Sequence, residues 1–103
     1  MDDGTLGGYE RVHQRPPAFQ GADGRAYSVA TFVDEEPNGD GRFGAALLFV
    51  AWSERSEKPV GHLETEYLAF GVTPDQALAA LLALTLHELK AHLDRCVANA
   101  RTS

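Results

Sequence analysis

The sequence has one cysteine, no long apolar run and few cations, and each shortage removes a class of protein. A lone Cys96 cannot close an internal disulfide, and a cysteine-based zinc cage would need ligands from several chains. The disulfide frameworks of small secreted domains are excluded, and a reducing cytoplasm is the expected setting. The longest apolar runs, near residues 43–52 and 77–86, are about half of the ~20 residues that cross a bilayer, so no transmembrane helix is expected. The opening Met1-Asp2-Asp3-Gly4 lacks the basic-then-apolar order of a signal peptide. Nine Lys and Arg stand against fifteen Asp and Glu, a net charge of −6. The nine are scattered, so this chain alone is a poor match for a phosphate backbone. Neither nucleic acid nor membrane is an expected partner.

What is present is an ordinary globular composition, 44% hydrophobic over 103 residues, enough for one two-layer core. Residues 73–97 read as one long helix. Thr73 can cap it, with Gln76 closing a capping box and Pro74 at the first helical position, where its missing N–H costs nothing. At 100° per residue Leu78, Leu81, Leu82, Leu86, Leu89, Leu93, Cys96 and Val97 fall in a stripe roughly 160° wide. This is a core face, and Cys96 within it reads as a small buried hydrophobe.

Residues 1–15 carry glycines and mixed charge with almost no apolar period, and Pro16-Pro17 follow, so they read as a flexible tail before a single α+β domain over 16–103. A short strand at 18–20 can form a tight hairpin through Gly21-Ala22-Asp23-Gly24. Residues 26–34 have strand character, and the polar, glycine-rich 35–41 reads as a hairpin loop. Residues 42–53 are apolar at odd and at even positions, as in a strand covered on both faces. This should be the central strand. Residues 60–70 alternate like an edge strand. The order β-β-β-α predicts a three-stranded antiparallel meander, with a short extra N-terminal strand as an option, packed by one long C-terminal helix.

One helix covers only one face of such a sheet. The other face needs a cover, and Ala77, Ala80, Leu84 and Ala91 form a second, small-residue strip on the helix. A homodimer using the open sheet face, the alanine strip, or both is the expectation, with Trp52 as a further interface anchor. The competing reading folds residues 9–20 back over the sheet.

Candidate chemistry is sparse. His87 and His92 are five apart and diverge by about 140°, so they fail the i, i+4 geometry of a helical zinc site. His62, Glu64 and Glu66 share a strand face and are the candidate metal or acid–base group, although same-face positions are about 7 Å apart and a further ligand would have to come from elsewhere. Gly39-Asp40-Gly41 reads as turn chemistry.

The run Ala69-Phe70-Gly71-Val72-Thr73-Pro74-Asp75-Gln76-Ala77-Leu78 resembles the G-x-T-x-E-E-A-L helix start of HicB-type antitoxin domains, which follows a β-meander beginning near a Tyr like Tyr27. In that family a partly RNase H-like β-β-β-α-β fold binds and masks a small toxin ribonuclease. The resemblance implies a similar fold and a protein-binding role, and no site residue is carried over. Two functions are therefore expected to compete. One is a small non-enzymatic interaction module, dimeric, antitoxin-like and without a cofactor. The other is a small-ligand or metal-dependent enzyme with a site around His62, Glu64 and Glu66 at a dimer interface.

Overall fold

A computed structural model describes residues 4–55 and 57–102; the first three residues of the expected tail lie outside them. The elements in chain order are α1 (Leu6–His13), β1 (Ala18–Gln20), β2 (Ala26–Val33), β3 (Phe43–Trp52), β4 (Pro59–Glu64), β5 (Ala69–Gly71), α2 (Pro74–Leu82) and α3 (Leu86–Thr102). The fold is α+β, an antiparallel sheet under three helices, the last long and C-terminal.

The doubly apolar β3 is the central strand. It pairs with β2 along one edge, from Ala26↔Trp52 to Val33↔Ala45, while its other edge carries β4 and then β5. β1 extends the sheet beyond β2, at the position read as a short hairpin strand. The asparagine of the β2–β3 loop shapes its turn: Asn38 Oδ1 accepts from the amides of Asp40 and Arg42, and Gly41 takes a φ of 78°.

Three expectations are corrected. The third strand is not continuous over 60–70, because Thr65 interrupts the ladder. Its amide donates to the Leu47 carbonyl, and its hydroxyl, at 3.0 Å, accepts the Leu47 amide that a backbone carbonyl would otherwise take. Pairing resumes where the Leu68 amide donates to Ala45 O, so one expected strand becomes β4 and β5.

The long helix is also two. α2 ends at Leu82 and α3 starts at Leu86, because Thr85 forms its own capping box: its hydroxyl accepts from Glu88 N at 3.0 Å while Glu88 Oε1 accepts from Thr85 N at 2.9 Å.

The third correction is at the N-terminus. Residues 6–13, read as part of the tail, form α1, capped by the Thr5 hydroxyl accepting from Gly8 N. Leu6 is fully buried in the core. Gly7 permits the approach, since a Cβ there would stand 3.1 Å from Leu82 Cβ.

The core lies between the sheet and the helices. Odd-numbered residues of β2 and β3, Tyr27, Val29, Ala45, Leu47, Phe49 and Ala51, meet Leu6, Ala77, Leu81, Leu89, Leu93 and Val97. The apolar stripe read from the sequence is thus the buried face of α3, through Leu89, Leu93 and Val97, whereas α2 buries Ala77, assigned to the second strip, together with Leu81 and leaves Leu78 partly exposed. Asp94 on α3 ties the β1–β2 turn to this layer, accepting from Ala22 N at 3.1 Å while held by Lys90. The molecule is a slab 22 Å thick, the depth of one sheet and one helical layer. Among the described residues, no helix is long and apolar enough to cross a membrane.

Candidate interaction surface

All three helices pack on one side, so the even-numbered residues of β2 and β3 face outward. The antiparallel register sets them in rows: Phe32 beside Ala46, Ala30 beside Leu48, Ser28 beside Val50, and Ala26 beside Trp52. β4 adds His62 next to Val50 and Glu64 next to Leu48, and β1 adds Ala18 next to Ser28. Phe32 is 53% exposed, Val60 50% and Phe70 43%. The face is apolar in the middle and polar at its β4 margin.

The rows have a relief. Along β3, Leu48, Val50 and Trp52 make a ridge; along β2, Ala30, Ser28 and Ala26 make a trough beside it. The trough deepens into a hollow of about 210 Å³ lined by Ala18, Ala26, Ser28 and Trp52, and a second of about 180 Å³ lies among Phe32, Ala46, Leu48 and Glu64. Trp52 is fixed by its indole N–H, which donates to the Ser28 hydroxyl at 2.9 Å. At the far end the Tyr67 ring lies on the bare backbone of Gly44, where a Cβ would come within 2.7 Å of it. Its hydroxyl donates to Asp34 at 2.9 Å, and Arg42 stands over the neighbouring Phe70 ring at 5.1 Å.

His62 and Glu64 share this face, with His62 Nε2 3.5 Å from Glu64 Oε1 and both side chains well solvated. Glu66 lies beyond the end of β4, in the interruption made by Thr65. Among the described residues, no group of three or more His, Cys, Asp or Glu is placed to hold a metal ion. Of the small-residue strip, Ala77 is buried against Gly71, Leu84 packs on the core, and Ala80 and Ala91 are exposed on different helices. The break at 83–85 removes the common axis that would have made them one surface.

A cavity of about 470 Å³ opens where 65–68 leave the sheet, between that segment and α3. His92, Arg95, Cys96 and Asn99 line it opposite Glu64 and Glu66. Burial, together with the Arg95 charge, holds His92 below the usual imidazole range, which favours its neutral form. Burial pushes the Cys96 thiol up, and its Sγ lies 3.7 Å from the Glu64 carbonyl. A protonated thiol beside a carbonyl is not an activated nucleophile. Sequence reasoning missed this cavity because it depends on the Thr65 interruption, and the relief of the open face because it depends on strand register. Comparison of the chain with protein-family models, with curated proteins and with solved structures finds no match in any of the three.

Proposed function

We propose that this chain is a small, non-enzymatic protein-interaction module whose docking surface is the open face of its sheet. The observation that carries the reading is the uncovered apolar side of the central strand, with Phe32 and Val60 half exposed beside it. Covering the remaining exposed area of Phe32, Val60, Tyr67 and Phe70 contributes roughly 3–6 kcal/mol, overlapping the lower part of the ~4–15 kcal/mol cost of association. Charged groups stand at the margin of the face, as at the rim of protein interfaces. The helix start after β5, with its likeness to HicB-type domains, supports the same class of role, an antitoxin-like masking of a protein partner. A reducing, cytoplasmic setting accords with the free thiol of Cys96.

The test uses the chain as bait in its native cell, as wild type, as Val50→Lys on the face, and as Ala91→Lys, exposed on α3 at the opposite, helical side. The expected result is that proteins held by wild type and by Ala91→Lys are lost from Val50→Lys. Equal capture by all three baits overturns the reading.

A further inference from the structure

We infer that the occupant of the open face is a second copy of this chain, the Leu48–Val50 ridge of each copy seated in the Ser28–Ala30 trough of the other. The inference rests on the reading of that face as a docking surface and names its partner.

A two-fold interface brings the same patch together twice, so a patch that fits itself must carry a projection and a matching recess on opposite sides of the axis. The register provides both. In each row one strand bears the large side chain and its neighbour the small one: Leu48 beside Ala30, Val50 beside Ser28, Trp52 beside Ala26. An axis running between β2 and β3, close to their direction, lays β3 of one copy over β2 of the other. Leu48 then meets Ala30, and Val50 meets Ser28. Aligned sheets pack about 30° apart, which displaces the outer rows most and these two central rows least.

Area and charge agree with this seating. Four strands at ~4.8 Å and four rows at ~6.6 Å give a footprint on the order of 500 Å² per copy, or roughly 1,000 Å² in all, the least that a specific interface buries. With the axis between β2 and β3, β4 lies about 7 Å to one side, so the two Glu64 carboxylates stand about 14 Å apart, beyond the ~8 Å screening length. Across the interface β4 faces β1 of the partner copy, which places His62 over Ala18 and leaves like charges unopposed.

Sedimentation equilibrium across the micromolar range tests this with wild type, Val50→Lys, Ser28→Glu and an equimolar mixture of the two variants, each checked for fold by circular dichroism. Wild type is expected at twice 11.1 kDa. Each variant alone should associate about a hundredfold or more weakly, having buried an uncompensated charge. The mixture should recover to within about tenfold of wild type, because the ammonium introduced in one chain then meets the carboxylate introduced in the other. Ala30→Trp, which fills the trough without adding charge, should also give 11.1 kDa. A wild type of 11.1 kDa throughout overturns the second copy as occupant, while face-dependent capture of another protein would still support the docking surface. A dimer that Val50→Lys and Ala30→Trp leave intact overturns both. A mixture that stays monomeric, when wild type dimerises, overturns the seating.

Discussion

Thr5 and Thr85, the N-caps of α1 and α3, pair with each other in an isolated antiparallel bridge. Leu6 N donates to Leu84 O at 2.8 Å, and Leu86 N donates to Gly4 O at 2.9 Å. Each threonine hydroxyl meanwhile caps its own helix. The break between α2 and α3 leaves polar backbone groups without helical partners, and the N-terminal segment supplies them.

Thr85→Ala removes the cap hydroxyl and half of the capping box. A loss of about 1 kcal/mol is expected. Urea unfolding should show it, and amide exchange should rise in the first turn of α3 while β3 is unchanged.

Leu6→Ala leaves a hole where three helices meet the sheet. A fully buried leucine truncated in this way costs roughly 2–5 kcal/mol. A change below about 0.5 kcal/mol in urea unfolding, the size expected for an exposed tail, would contradict the packing of α1.

Two glycines should respond unequally to alanine. At Gly71 the added Cβ meets the Ala77 amide nitrogen at 2.6 Å, and backbone of a capped helix cannot step aside. Gly71→Ala should cost about 3 kcal/mol, the upper end for overpacking. At Gly44 the obstacle is the exposed Tyr67 ring, which can lift. Gly44→Ala should cost about 1 kcal/mol, the loss of the hydrogen bond to Asp34. The two urea midpoints measure the difference.

Tyr27 should titrate late for a phenol. Burial, then its hydrogen bond to Asp23 at 2.7 Å, pushes its phenol up to about 12. A group raised in the folded state stabilises it below the ordinary value of 10, and that contribution is lost as pH climbs through about 12. Phenolate absorbance should therefore show a transition near pH 12 that Tyr27→Phe removes. Asp23→Asn removes the charge and the charged acceptor but not the burial, so the transition should move down and stay above 10.

Much of this was legible in the chain itself, and the omissions share a cause. The spans of β2 and β3 follow from strand-forming composition, from the continuous apolar run of 43–52 and from the turn-rich loop between them, all local signals. The apolar stripe of residues 78–97 holds as a core face on α3, through Leu89, Leu93 and Val97, but on α2 the buried pair is Ala77 and Leu81, so the core-facing side shifts at the break. Thr85 and Glu88 carried the missed signal, a capping box inside an apolar period. α1 was hidden for another reason. Gly7 and Gly8 argue against a helix by propensity, and only the distant Leu82 and Leu84 make one favourable. Thr65 behaves alike: a strand residue by preference, it ends β4 by lending its hydroxyl to a neighbour 18 positions away.

The two lateral margins of the sheet are poor templates. One is β1, three residues long behind Pro16-Pro17; the other is split into runs of six and three. Sideways growth into a fibre needs a long, uninterrupted comb of free amides and carbonyls, and neither margin offers one. The greasiest strand sits in the middle, unable to recruit further chains end on end. Association broadside uses up the sticky side after one encounter, so any assembly this architecture favours is finite.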